Sequence, residues 1–483
     1  MPINLNQTNI DITDPNLQEV FVNLQGNIIK SAGRDHSAHV FLRFTGDKGT
    51  CRAWVREFAD RVTSAKRQYQ DARNHEASGS LHLFTSLLLS ATGYRALGVE
   101  DAKTPTDKAF RAGIKNMEIA YDTVPRGDHN PTVNPLNDDL SDWNEAFQRE
   151  IDALIILGYG GRDLDDESAQ AHLSVQVDAL RVALEDVAEI VHVQRGHVLR
   201  NARGQVIEHF GYVDGVSNPK FLKYDLDAEF RNGGYSKYDG SAALGIVLVQ
   251  DPAGGSECYG TYFVYRKLQQ NIKGFKQRLE ALAKALSEAS GEPVSPDLAG
   301  GLVVGRFKDG TPVVESSADG WTNLFNNFNY DEDTEGRRCP FQSHARKTNP
   351  RDDTVREFGS PPTIERSRRI VRRGISYGST DLSPDEEWTD AGLLFLSAQS
   401  DIEQQFIFMQ NTWCNSERFL RLGTGMDGII GQPKKGETPI PQKWPTKWGI
   451  PGESVEFEFS SVVRMCGGEY FFAPSISFLK HLS

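Results

Sequence analysis

DALIILGY (152–159), the set Leu173, Val177, Leu180, Leu184 and Val187, and IVHVQ (190–194) follow one another in the chain. The first is an apolar run of strand length. The second puts apolar residues three and four apart, on one face of a helix. The third is again strand-like. Upstream, Ala38, Val40, Leu42 and Phe44 alternate as in a strand, and Trp54, Val55, Phe58, Val62 and Ala65 predict a helix over 52–70. LHLFTSLLLS (81–90) is a strand or the start of a helix; periodicity allows both. The second half repeats the grammar. LGIVLVQ (244–250) and TYFVYRK (261–267) read as strands, 269–289 as a helix, GLLFLSAQ (392–399) as a strand and 401–411 as helical. The class is therefore α+β, in two halves of similar pattern without a clear sequence repeat. The polar, Gly-rich stretch 224–241 marks the expected boundary between units 1–228 and 229–483. Residues 121–143 and 305–365 read as long loops, which in compact chains are usually functional or mobile.

The 483 residues carry a formal net charge of −13, which argues against nucleic acid or an anionic membrane surface as partner. No window holds 18 consecutive apolar residues, so no membrane span is expected. The first thirty residues have no basic start followed by an apolar run. The expectation is a cytoplasmic protein, with a secreted mature chain as the alternative. Five cysteines, at 51, 258, 339, 414 and 466, form no CxxC pair, which suits a reducing compartment better than a disulfide scaffold.

Three segments carry candidate chemistry. In FGYVDGVSNP (210–219), Asp-Gly and Asn-Pro are turn dipeptides; the sharper reading is a carboxylate, Asp214, held by Gly211 and Gly215 so that it faces a cavity. In RRCPFQSHARKTNPRDD (337–353), His344 stands among Arg346, Lys347 and Arg351. Cationic neighbours favour the neutral imidazole that binds metal and would suit an anionic cofactor; a solvated basic loop is the plain alternative. RSRRIVRRGISYG (366–378) concentrates five arginines in an acidic chain, as a solvated face or with one arginine aimed at a buried anion. No GxGxxG after a strand, Walker A, HExxH or GxSxG competes with these.

Taken in order, GxxDG (211–215), HxRKxNPR (344–351), IVRRGxxYG (370–378) and GLLF (392–395) resemble the dye-decolorising peroxidases. NLQGNIIK (23–30) and HVFLRF (39–44) resemble that family's start and CGGEYFFAPS (466–475) its end, so the likeness spans almost the whole chain. It implies two ferredoxin-like domains, each an antiparallel sheet flanked by helices. The N-terminal domain would carry the distal motif, and the C-terminal one heme b. It implies His344 as the iron ligand, Asp214 and Arg372 on the distal face, and Leu393 and Phe395 packed over the heme. Arg306 and Arg351 are implied as partners of the heme carboxylates. The carboxylate behind the histidine would be Asp401 or Glu403, with Asp401 preferred. Tyr377 and Trp413 match positions where longer members carry radical-forming aromatics at the surface.

The implied activity is reduction of hydrogen peroxide through a ferryl intermediate, with oxidation of phenolic compounds and bulky dyes. Asp214 would move the peroxide proton and Arg372 would stabilise the charge that builds on cleavage. An aspartate, with an ordinary pKa of about 3.9, keeps this role into the acid range where a distal histidine would be protonated. The alternatives are a heme-handling or iron-releasing protein with incidental peroxidase activity, and a ferredoxin-like binding module, which would be colourless.

Overall fold

The computed structural model describes residues 3–78, 82–115, 136–161, 165–321, 326–433 and 436–483. Most of the expected loop at 121–143, namely 121–135, lies outside the described residues, as does Leu81. The first half supplies strands β1 (His36–Phe44), β2 (Phe84–Leu89), β3 (Ala153–Tyr159) and β4 (Ala188–His197), and the second supplies β5 (Tyr259–Gln270), β6 (Ile375–Gly378), β7 (Ala391–Gln399) and β8 (Val463–Ala473). Helix α1 (Lys48–Phe58) follows β1, α2 (Asp166–Ala183) links β3 to β4, and α3 (Ile272–Ser290) follows β5.

All eight strands share one antiparallel sheet in the order β6-β7-β5-β8-β2-β3-β1-β4. Each half contributes its second, third, first and fourth strands in that spatial order, which is the ferredoxin-like arrangement repeated. The duplication suggested by the pattern of elements is thus plain in the topology. The halves join through β8 and β2, where Phe472 faces Leu89. At the other end β4 approaches β6: a Cβ on Gly196 would lie 2.7 Å from Ile375 Cγ2. The sheet therefore curls until its outer strands nearly meet.

Several local expectations change. The helix expected over 52–70 is broken at 62–64, where Thr63 receives the Gly26 amide at 2.7 Å and Ser64 bridges Gln25. LGIVLVQ is mostly a tight turn, Leu244–Ile246, and only Val249–Gln250 pairs; an apolar run reports burial without specifying backbone form. The stretch 81–90 resolves into β2, with Ser90 capping a helix that starts at Ala91. Residues 305–365 contain the short helices His344–Thr348 and Asp353–Phe358 and the start of Pro362–Ser367. At 401–411 the chain winds in two wide π-helical stretches, Ile402–Ile407 and Met409–Cys414. The expected linker at 224–241 holds a helix, Lys223–Gly233, which buries Leu226 and ends at Gly234 with φ +71°.

All five cysteines are buried and unpaired. Among the described residues no helix is long and apolar enough to cross a membrane. Alternate residues of β5 (Arg266, Leu268, Gln270), β7 (Leu393, Phe395) and β8 (Val463, Met465) turn to one face of the second-half sheet and form one wall of a cavity.

Candidate active site

The loop that carries the expected GxxDG motif forms a second wall. Asp214 donates its backbone N–H to Val206 O at 3.1 Å, and Gly211 and Gly215 take φ values of +91° and +80° that a side chain would strain. The Gly215 amide and Arg372 Nη1 both donate to Asp214 Oδ1, each at 2.6 Å. Arg372 sits on the two-residue strand Val371–Arg372 beside β7. Its backbone is clamped by Asn218, whose side chain donates to Arg372 O at 3.3 Å and accepts from Arg372 N at 3.1 Å. Burial pushes the Asp214 carboxyl up, but Arg372 and the Gly215 amide hold it below the ordinary carboxylate value.

His344 borders the same cavity at the head of the one-turn helix His344–Thr348. Its Nδ1 donates to Asp427 Oδ2 at 2.9 Å, which leaves Nε2 as the nitrogen that could hold a metal. Asp427 is fully buried, and its other oxygen accepts the Ile429 and Ile430 amides at 2.8 and 3.0 Å. Burial drives Asp427 up; His344 and these amides outweigh it and keep the carboxyl below its usual value. The expected partners Asp401 and Glu403 are therefore replaced by Asp427. Asp401 caps the following π-helical stretch, accepting the Gln404 amide at 2.7 Å, and neither residue borders the cavity. The only local signal for Asp427 was a turn dipeptide, Asp427-Gly428, some eighty residues after the histidine.

The cationic neighbours of His344 also differ from expectation. Arg346 is completely buried and pairs with Asp353 at 2.6 Å and Asp333 at 3.0 Å, pointing away from the cavity. Lys347 Nζ donates to Trp413 O at 3.0 Å and Ser416 O at 2.7 Å. These side chains anchor a helix too short to hold itself.

At another end of the cavity stand Arg306 and Arg369. Burial, and then the nearby Arg351, push Arg306 down to about 9. Arg369 Nη1 is buried without a hydrogen-bond partner. Arg306 already donates to Gly310 O at 2.8 Å and Ser217 Oγ at 3.1 Å, and a ligand carrying carboxylates would give Arg369 Nη1 a partner. Arg369 was not singled out from the five-arginine run; only the tertiary structure separates it from its neighbours. Arg351, expected beside it, does not border the cavity. Its guanidinium is spent on Asn326 Oδ1 at 2.6 Å, Phe328 O at 2.6 Å and the rings of Tyr238 and Phe328.

Leu393 and Phe395, which the resemblance implied, alternate on β7 and both line the cavity. Tyr377 and Trp413 are not at the surface: they are 1% and 5% exposed. Tyr377 is packed in β6 under the Lys267 ammonium, 4.8 Å from its ring centre, and Trp413 stacks under Phe419 at 5.3 Å.

No family model matches the chain. The multifunctional dye peroxidase DyP2 of Amycolatopsis sp. is 36% identical over 478 residues, covering 95% of both chains. The dye-decolorizing peroxidase msp1 of Mycetinis scorodonius is 28% identical over 82% of this chain and 75% of its own. Among solved structures, a DyP-type peroxidase of Anabaena sp. superposes with a TM-score of 0.89 at 42% identity, over 99% of each chain. A deferrochelatase of Yersinia pestis matches only 83 residues, 17% of this chain. With this likeness running end to end, over a fold built from two ferredoxin-like quartets, the chain belongs to the dye-decolorising peroxidase family.

Proposed function

We propose that this protein binds heme b through His344 Nε2 and uses hydrogen peroxide to oxidise phenolic compounds and dyes. The observation that carries the reading is the Asp214–Arg372 pair, joined at 2.6 Å, bordering the same cavity as His344 with its Asp427 partner. The cavity's chemistry suits the cofactor: an imidazole nitrogen for iron, apolar Leu393 and Phe395 for the ring, and Arg306 with the unpartnered Arg369 Nη1 for the two carboxylates.

Bound heme supplies an iron and a conjugated ring that together take two oxidising equivalents from hydrogen peroxide. Asp427 holds the Nδ1 proton of His344 and makes the imidazole a stronger electron donor. The Asp214 oxygen that Gly215 and Arg372 leave free accepts a proton from hydrogen peroxide and returns it to the departing oxygen, which leaves as water. Arg372 faces the negative charge that grows as the O–O bond breaks. Leu393 and Phe395 crowd the cavity against bulky reductants.

For those reductants, Trp413 and Tyr377 are proposed as electron entry points reached from the surface rather than lying on it. Trp413 floors an open cleft walled by Phe358, Ile364, Phe408 and Phe419 and edged by Arg368. The π-helical stretch that carries Trp413 also turns Met409 and Gln410 toward the cavity.

The test is an absorption spectrum of the purified protein before and after hydrogen peroxide, alongside His344→Ala. The wild type is expected to show a Soret band that responds to peroxide, and the variant to lose heme or bind it weakly. A colourless wild type, or a variant with the wild-type band and turnover, overturns the assignment.

A further inference from the structure

Glu208 borders the cavity three residues before the Gly-Tyr-Val-Asp turn, which begins at Gly211, and the reactions above do not use it. Its carboxylate accepts the Phe210 amide at 2.8 Å and the Tyr212 amide at 3.0 Å. Its backbone closes the same turn, since Gly211 donates to Glu208 O at 2.8 Å. A third donor comes from β5: Gln270 Nε2 reaches Glu208 Oε2 at 2.5 Å. Gln270 also borders the cavity, and its Oε1 is buried without any hydrogen-bond partner. A carboxylate can only accept, whereas a protonated carboxyl must also donate, and the nearby partnerless acceptor is Gln270 Oε1. Turning the Gln270 amide over exchanges its oxygen and nitrogen in nearly the same space.

We propose that Glu208 is a positioning residue for Asp214 that works in two states. Ionised, it ties off the turn that presents Asp214 and takes the Gln270 NH₂, leaving the buried amide oxygen without a partner. Protonated, it keeps the turn, donates to the Gln270 oxygen and swings the NH₂ toward the cavity. The wall beside Asp214 and Arg372 thereby changes from a negatively charged group with an acceptor to a neutral group with a donor. The inference rests on the peroxidase reading.

The surroundings favour titration near neutrality. Burial, and more weakly the like charge of Asp214, raise Glu208, to about 7, against the pull of its three N–H donors. Among the described residues no cation pairs with Glu208. Arg372, from the strand beside β7, is committed to Asp214, and Arg266, on the same strand as Gln270, to Asp138 at 2.8 Å. Tyr212, from the turn, is driven above its ordinary range by burial and stays neutral. From the face of α3, Phe275 stacks on Phe210 at 4.1 Å and adds no charge. Above neutrality an extra negative charge stands where peroxide must gain charge, so its reaction rate falls as pH rises through that point.

The experiment pairs infrared difference titration of the holoprotein, without peroxide, with stopped-flow mixing against hydrogen peroxide across pH. The expected result is a protonated-carboxyl band that disappears with a midpoint near 7, absent in Glu208→Gln, and a fall in peroxide rate that shares this midpoint and flattens in the variant. A band or rate inflection that persists unchanged in Glu208→Gln overturns the proposal. Should that variant fail to fold, Gln270→Leu leaves Glu208 in place and removes both the donor to its ionised form and the acceptor of its protonated form, of which the charge-assisted bond to the carboxylate is the stronger. The infrared midpoint then moves up; an unmoved midpoint overturns the proposal. Absence of heme or of any peroxide reaction in the wild type would instead strike the peroxidase reading.

Discussion

Single contacts govern the chemistry on both sides of the cavity. Asp427 holds the imidazole proton of His344, while Asp401 only caps a helix. Asp427→Asn is expected to slow the stopped-flow reaction with hydrogen peroxide by about 10–100-fold, the usual cost of losing such an outer partner, with Asp401→Asn near wild type. Equal losses in the two variants would return the role to the π-helical stretch. On the other wall, Asp214 must be ionised to accept a proton. Burial raises its pKa and Arg372 lowers it, so the folded value is depressed and the active form persists below the ordinary carboxylate range. Removing the cation leaves burial less opposed. In Arg372→Leu the acid limb of the peroxide rate should move to higher pH, and the maximal rate should fall by about 10²–10³. An unmoved limb would show that Arg372 does not set the charge of Asp214.

At the level of elements, the proposed iron ligand His344 depends on a helix of five residues, shorter than any that is stable alone. It is held from behind by Arg346, with Asp333 and Asp353, and by Lys347 on the carbonyls of Trp413 and Ser416. Arg346→Ala leaves two carboxylates buried and short of a partner, and should cost about 3–5 kcal/mol in denaturant unfolding. A loss under 1 kcal/mol would mean that the helix is held by packing alone. The loop expected over 305–365 looked structureless because its elements are short and its anchors are charged. Its polar composition concealed an interior ion-pair network, since charge in a sequence carries no sign of whether it faces water or another charge.

Across the whole molecule, one curled sheet joins the two quartets, and the C-terminal strand β8 supplies the seam by pairing with β5 and β2. In the proposed function small peroxide reaches the cavity, while bulky dyes pass electrons through the aromatic side chains Trp413 and Tyr377. Trp413→Phe is expected to slow oxidation of a bulky anthraquinone dye more than that of a small phenol, and Tyr377→Phe to add to the loss. The rate of reaction with hydrogen peroxide should stay at the wild-type value in both. Wild-type dye turnover in the double variant would make the two residues packing elements only.

Local pattern carried much of this protein. The periods of 2 and 3.6 made strands and helices legible because one face of each is buried. The glycines around Asp214 announced a turn that only they can make, and the ordered motifs named the family. Leu393 and Phe395 came from the family resemblance, and alternation on β7 is the physical reason both meet the cavity. Asp427, Arg369, Glu208 and Gln270 were not readable. Each matters through a partner far away in sequence, or through an atom left without one, and no local rule records either. Arg351 lies on a motif and still turns away from the cavity, while Tyr377 and Trp413 lie where the family pattern puts them but under other side chains. Motif position sets which residue is present; whether its side chain meets the cavity, the solvent or another charge is settled when distant segments pack, because burial and pairing are properties of that packing.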